Sequence, residues 1–558
     1  MLGKNPCRHI LQVELPGPGG TFALILQHFR AKLSSFARRR INAPSTQFSP
    51  NHVCAEYAVL NAPLNSRSVD LARNDLACGS ERLRDTFTPN GRMIYMVTKR
   101  LLSILLTSTL LAGVAHGQPT RASMVSFDIG AGANPNATLV LGEDGNFYGS
   151  TADGGTYDVG TLFKMTSRGT FTVLVNFDGT NGANPFATLT PARNGSFYGT
   201  TFSGGSGGSG TLFRVTTTGE LTTLVNFNLT NGSTPMAALT LGKDGSFYGT
   251  TEYGGQSAAD GQFSGDGTVF RVTTNGTLTT LLSFAGTNGA HPVAGLTLGD
   301  DGSFYGTTFE GGGFNAGTVF RVTTNGELTS LLSFNNTNGG YPGAELTHGA
   351  DGGFYGTTWI GGIYTHQMGN SFGTVFRMTT NGFLTTLLNF NYTNGAMPEA
   401  GLKLASDGCF YGTTYVGGQN DRGTVFRVTT NGTLTTLIEF DGTNGAGPIT
   451  SLTLGTDGNF YGATEEGGTD YFIFGNAGQG TIFKVVVPPS IGVPSISNGL
   501  LMATASGLAR PSVQIQATTN LWMPWSVLTN FVFTAGTAEF ADPAAGISPM
   551  RFYRALVP

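Results

Sequence analysis

Four cysteines in 558 residues are too few for a fold built on disulfides. Cys7, Cys54 and Cys78 fall within the first 92 residues, which leaves Cys409 alone in the rest and excludes an internal disulfide there. Charge is also scarce, at 11% of residues. Beyond residue 117 the chain holds 16 basic and 28 acidic residues, a formal charge of −12. No basic patch of the kind that nucleic acid or an anionic membrane surface requires is present. Histidine is limited to His291, His348 and His366 after residue 117, without zinc-ligand spacing. Dense carboxylate loops of the calcium type, Walker loops, dinucleotide fingerprints and nucleophile elbows are all missing. Neither metal nor cofactor is expected.

What the sequence does have is glycine, 84 residues of it, and a repeat. The tripeptide FYG recurs with its Phe at 147, 197, 247, 304, 354, 410 and 460, at spacings of 50, 50, 57, 50, 56 and 50. A period of this size means one supersecondary unit per copy. In the third copy, AALTL (237–241) meets Asp244-Gly245, then SFYGTT; after a Gly-Gly loop come GTVFRVTT, Asn275-Gly276 and LTTLLSF. The Asp-Gly and Asn-Gly pairs read as two-residue hairpins with positive φ. Four antiparallel strands in about 50 residues make a propeller blade.

Strand bookkeeping then predicts closure. A fourth-strand Phe stands eight residues before a Pro in six pairs from Phe177/Pro185 to Phe440/Pro448, and once more at Phe127/Pro135, ahead of the first full copy. The last copy stops after its third strand, GTIFKVVV (480–487). The expected fold is all-β: a seven-bladed β-propeller whose ring is closed by the N-terminal strand 123–128, which removes exposed sheet edges.

The ends differ in character. Residues 1–92 lack the repeat and read as a start-codon miscall or a disordered extension. Residues 93–117 read as a signal peptide, with Lys99-Arg100, the apolar run LLSILLTSTLLAGVA and a small-x-small site ending at Gly117. That run is 15 residues long, short for a membrane span. The propeller is expected over 118–487 and a small C-terminal β domain over 488–558, with Trp522, Trp525, Phe552 and Tyr553 supplying its core. The expected product is a secreted, periplasmic or cell-surface monomer with no membrane span after cleavage.

Loops on one face of the ring vary in length, the long ones being 256–266, 363–372 and 469–479. Variable loops on a rigid scaffold are where binding concentrates. Aromatic and acidic residues close the second strands on that face. Phe202, Tyr253, Phe309, Trp359 and Tyr415, with Tyr364, His366, Tyr471 and Phe474 from the loops, are the candidate ligand-binding residues, suited to stacking on sugar rings. The plainer reading is that these rings cap packing between blades. A non-enzymatic binding or adhesion scaffold for a glycan or other cell-surface component is the expectation. The alternative is a secreted glycosidase or lyase, for which Glu252, Glu310, Glu465 and Glu466 are the carboxylates available. The third-strand cations Arg214, Arg271, Arg321, Arg377, Arg427, Lys164 and Lys484 recur in every copy and read as structural. The turn aspartates are explained by turn geometry, with Asn194 as a substitute.

The motifs DG-x-FYGTT-x-x-GG, GTVFRVTTNG and LTTLLSF-x-x-TNGA-x-P resemble the GloVer (Gloeo/Verruco) tandem-repeat family of exported bacterial proteins, over about 123–487. The resemblance implies export and a C-terminus that varies between members; no catalytic residues carry over from it. The tail resembles C-terminal β domains common on exported verrucomicrobial proteins, but here it lacks a terminal hydrophobic helix with basic residues.

Overall fold

The computed structural model describes residues 119–557 except 257–262, 365–370, 470–477, 492–494, 498–499, 519–523, 534–536 and 544–551. The 1–92 region and the signal peptide expected at 93–117 lie outside the described residues, as do His366, Tyr471, Phe474 and Trp522.

Among the described residues every regular element is a strand. Seven four-stranded antiparallel sheets follow one another along the repeat. Sheet three is typical, with strands Thr240–Leu241, Phe247–Thr251, Thr268–Val272 and Leu278–Ser283 in that order. Sheet seven takes Thr453–Leu454, Phe460–Thr464 and Thr481–Val486 from one end of the repeat and Thr120–Ser126 from the other. The last two pair antiparallel, Thr120 opposite Val486 and Ser126 opposite Thr481. No sheet closes on itself; each is a separate four-stranded unit.

The FYG motif explains how the sheets adhere. Neighbouring residues of a strand face opposite sides, so Phe247 packs toward one adjoining sheet and Tyr248 toward the other, both buried. The Tyr of each sheet meets the Phe of the next at 4.1–4.4 Å between ring centroids, from Tyr148–Phe197 to Tyr411–Phe460. The glycine that follows is required by crowding: a Cβ on Gly249 would lie 2.6 Å from Phe270 Cζ and 2.9 Å from Leu239. First-strand threonines add a polar link, Thr190 Oγ1 donating to Leu239 O at 2.6 Å and Thr297 Oγ1 to Leu346 O at 2.5 Å. Thr453 Oγ1 of sheet seven makes the same bond, 2.5 Å, to Leu139 O of sheet one.

The hairpins depart from the two-residue turn expected from Asp-Gly and Asn-Gly. Gly245 (φ 78°) and Gly276 (φ 90°) are left-handed, but Asp244 and Asn275 are not. Gly245 N–H donates to Gly242 O and Gly242 N–H to Ser246 O, which is the three-residue loop of a type I turn followed by a left-handed glycine. The preceding residue stays right-handed because its side chain is in use: Asp244 Oδ1 accepts from Ser246 N–H at 3.1 Å.

After sheet seven the chain forms two small sheets. One holds Ser490–Ile491, Ser495–Ser497, Leu500–Ser506 and Thr537–Asp542; the other holds Arg510–Thr518, Ser526–Phe533 and Phe552–Leu556. Their core is Ile491, Ala503, Ala505, Val513, Ile515 and Phe540, with Tyr553 against it. The aromatic core expected of this region is corrected accordingly. Trp525 is half-buried under the Arg554 guanidinium, 4.4 Å from its ring centroid, and Phe552 is outside the cluster, whose buried members from Arg510–Thr518 are the alternating apolar residues Val513 and Ile515.

Candidate functional site

The hairpins of each sheet, two in sheets one to six and one in sheet seven, fall at one end, and that end is built for stability. Asp244 Oδ2 accepts from Arg271 Nη2 at 2.8 Å and Tyr248 OH at 3.2 Å. The same Asp–Arg or Asp–Lys pair closes sheets one, four, five, six and seven. Burial raises these carboxyl pKa values, and hydrogen bonds from the turn N–H and the paired cation overcome it, so that Asp244, Asp301 and Asp351 end below the usual carboxylate range. Sheet two has Asn194, and there Arg214 Nε donates to Ser196 Oγ instead, at 3.1 Å. The recurring cations are thus structural, and their heads anchor the hairpin of their own sheet. A cavity of about 420 Å³ at this end, between sheets four and five, is lined by Asp301, Arg321, His348 and Phe354; it is walled by the same turn-anchoring groups.

The opposite end carries the variation. Before each first strand the chain pairs briefly with the end of the second strand of the same sheet, as at Ser233–Tyr253 and Ala290–Glu310. The next residue is left-handed in every repeat: Asn134, Asn184, Thr234, His291, Tyr341 and Met397 have φ between 53° and 55°, and Gly447 has φ 61°. Non-glycine residues seldom adopt this conformation, and the backbone explains why these do. His291 N–H donates to Asp266 O, in the loop of the preceding sheet, while its carbonyl accepts from Phe309 N–H of its own sheet. Each of the seven connectors makes the equivalent pair of bonds. The main chain therefore stitches sheet to sheet while the side chain is left to vary.

Four positions per repeat converge here: the connector, the residue after the following Pro, and the two residues that follow the second strand. Across seven repeats these hold seven aromatic residues, six carboxylates, one His and no Lys or Arg. Phe202 lies against Phe186 at 5.5 Å and Phe263 at 6.1 Å. Tyr253 lies against Phe263 at 5.6 Å and His291 at 4.8 Å. Phe309 bridges Tyr341 at 5.3 Å and Trp359 at 5.9 Å. Phe202, Tyr253, Phe309 and Trp359 thus pack in aromatic chains, yet each of them, like Tyr415, is only half-buried, and Phe263 is 60% exposed. Tyr364 is 46% exposed.

Three of the carboxylates, Glu252, Glu399 and Glu465, are perturbed. Burial pushes Glu252 up to about 7, a hydrogen bond from Tyr253 opposing and the charge of Glu310 adding. Burial, then the charge of Glu465, raises Glu399 to about 7. The Trp359 indole tempers that rise, although its N–H closes no hydrogen bond of proper geometry among the described residues. Glu465 is raised by burial and by Glu466, and burial with these neighbours pushes Tyr415 up to about 12. Glu310 Oε2 stands 3.6 Å from His291 Nδ1. Asp153 is tied down by Asn134 Nδ2 at 2.7 Å and Asn184 Nδ2 at 3.2 Å. Of the four suspected carboxylates, Glu252 and Glu310 interact across sheets three and four, and Glu465 and Glu466 are neighbours in sheet seven.

Sequence reading missed Glu399, Asp153, Phe186 and Tyr341. The signal was available, since all but Asp153 occupy the two variable places in TNGA-x-P-x. Glu345 was missed too. It is the one charged residue in the row Thr138, Thr188, Ala238, Gly295, Glu345, Gly401 and Ser451, where Thr138 N–H donates to Thr188 Oγ1 and Ser451 N–H to Thr138 Oγ1. Its side chain is exposed to water, and the neighbouring protein raises its pKa against the pull of Lys403. Among the described residues no three His, Cys, Asp or Glu side chains gather as a metal site would need, and no helix is long and apolar enough to cross a membrane.

Repeated four-stranded antiparallel sheets, joined side by side with variable residues at one end, define an all-β repeat protein of propeller-like type. The chain belongs to the Gloeobacter/Verrucomicrobia repeat family, whose model matches residues 114–263, 257–372 and 364–490. No curated protein matches it. Among solved structures it is similar to the extracellular domain of the provisionally named hybrid two-component system BT3049 from B. thetaiotaomicron, at 10% identity and a TM-score of 0.43, covering 79% of this chain and 56% of that one. It is also similar to the gluconolactonase XC5397 from Xanthomonas campestris, at 12% identity and a TM-score of 0.34, covering 67% and 92%. A puromycin hydrolase matches at 12% identity and a TM-score of 0.38, covering 69% and 62%.

Proposed function

We propose that the protein is an exported binding scaffold: a seven-bladed propeller over 118–487, closed by its N-terminal strand, whose loop-bearing end holds a glycan or cell-envelope polymer. The pairing of Thr120–Ser126 with Thr481–Val486 supports closure. Export rests on the signal sequence at 93–117, with residues 488–558 as an appended β domain. One observation carries the binding reading. Seven connectors hold identical backbone geometry while the side chains they present differ from repeat to repeat, as expected where a scaffold is constant and a ligand is read by its surface. Half-buried aromatic rings supply stacking faces for sugars. Six carboxylates without a Lys or Arg among those positions favour neutral or amino-bearing units over phosphate, sulfate or uronic acid.

The test is a glycan array probed with the chain and with a Trp359→Ala/Tyr415→Ala variant. Binding by the parent, lost in a variant with unchanged circular dichroism, supports the reading. Equal binding by both would move the site elsewhere. A second reading, acid–base catalysis, draws on Glu252 at about 7 beside Glu310; it requires glycan turnover that Glu252→Gln abolishes.

A further inference from the structure

The turn at 507–509 joins the two small C-terminal sheets and is also where they meet the repeat. Arg510 is 3% exposed. Its Nη2 donates to Gly458 O at 3.2 Å and to Val487 O at 2.8 Å. Gly458 is the left-handed glycine of the first hairpin of sheet seven, and a Cβ there would lie 2.5 Å from Arg510 Cβ. Val487 directly follows Thr481–Val486, the strand against which Thr120–Ser126 lies. One guanidinium therefore bonds both the hairpin and the last strand of the single sheet assembled from two ends of the repeat. Leu508, fully buried, joins Tyr411, Cys409, Phe460 and Val485 in one cluster, and Ala509 N–H donates to Ser406 Oγ at 2.7 Å. The other six sheets have all four strands consecutive in sequence, whereas sheet seven alone depends on a strand drawn from the far end of the repeat.

We infer that the C-terminal module is a clasp: by gripping Gly458, Val487 and the Cys409 cluster it holds the outgoing strand in place and so keeps the N-terminal strand paired. An Arg suits this role because one edge of its planar guanidinium serves three acceptors at once, Nη2 donating to Gly458 O and Val487 O and Nε to Leu508 O, which a Lys does not reproduce.

The full chain allows undocking and loosening to be read separately. Cys409 is 5% exposed beneath the contact, so maleimide labelling of Cys409, mapped by peptide, reports undocking. Amide exchange over 120–126 reports the paired strand, and exchange over 247–251 in sheet three is the internal control. In a Leu508→Asp/Arg510→Ala variant we expect labelling of Cys409 and at least tenfold faster exchange over 120–126, with 247–251 unchanged. Labelling of Cys409 with unchanged exchange over 120–126 overturns the clasp. So does a Cys409 that stays protected, since the contact then does not hold the module. If the double variant loses protection in sheet three as well, Arg510→Lys is scored on the same three readouts, and unchanged exchange over 120–126 in that milder variant overturns the inference.

Discussion

The ring of Tyr461 in sheet seven lies 4.2 Å from Phe147 in sheet one, the same contact that joins every other consecutive pair of sheets. Phe127, directly after the N-terminal strand Thr120–Ser126, is 3% exposed and 5.4 Å from Phe171. Replacing Phe127 by Ala should cost about 3–5 kcal/mol, the usual loss for a buried Phe, because the rigid rings around it cannot collapse into the void. Urea unfolding measures this directly. A midpoint within error of the parent would mean the N-terminal strand is dispensable.

Asp244, Tyr248 and Arg271 make a prediction for the acid limb. Asp244 has a lowered pKa despite burial, so its contribution is present above the unfolded carboxylate value and is lost as pH falls through the folded one. Arg271 and Asp244 are each more than a third exposed, and solvent screening limits the pair to about 0.5–1 kcal/mol. Asp244→Asn should therefore destabilise modestly at pH 7 and not at pH 2, and Asn194 in sheet two indicates that the fold tolerates it. Denaturant titrations at the two pH values test the sign.

The period, the four strands and the odd pairing of the two ends were legible because each rests on local chemistry: FYG burial on both faces, glycine turns and the Phe-to-Pro spacing. The turn type was not, because Asp-Gly serves two hairpin geometries, and the choice here goes with the bond that Asp244 Oδ1 accepts from Ser246 N–H, a side-chain contact the dipeptide alone does not specify. The mouth was half legible. Phe202, Tyr253, Phe309, Trp359 and Tyr415 stand out beside the Gly-Gly loops, whereas Glu399 and Tyr341 sit in the connections and join the site only once the left-handed connectors bring them to the strand ends.

Glu252 and Glu399 predict the neutral limb, with the opposite sign. Both are raised to about 7 by burial first, so the folded chain holds these protons more tightly than the unfolded one. Stability should fall as pH rises from about 4.5 through 7, by roughly 1–3 kcal/mol per carboxylate. Glu252→Gln/Glu399→Gln should flatten that slope. A thermal midpoint between pH 5 and 8 that is as steep in the variant as in the parent would refute the assignment.

Gly447 separates the connector's backbone role from its side-chain role. Its φ of 61° is close to those of Asn134 and Asn184, and Asn tolerates this conformation better than most residues, so Gly447→Asn should fold. A Cβ at Gly447, however, would lie 2.7 Å from Tyr415 Cε2, closer than carbon atoms approach, and the movable partner is the end of a side chain rather than backbone. The expected result is a melting temperature close to the parent's together with a displaced Tyr415 ring, read as a fall in its pKa from about 12 toward the ordinary phenol value as it leaves Glu465. Ultraviolet titration of tyrosinate, differenced against Tyr415→Phe, resolves this one group. Unfolding of Gly447→Asn would show that glycine is demanded by the chain and not by the ring, and an unmoved Tyr415 pKa would show that the mouth absorbs the extra group without yielding its aromatic face.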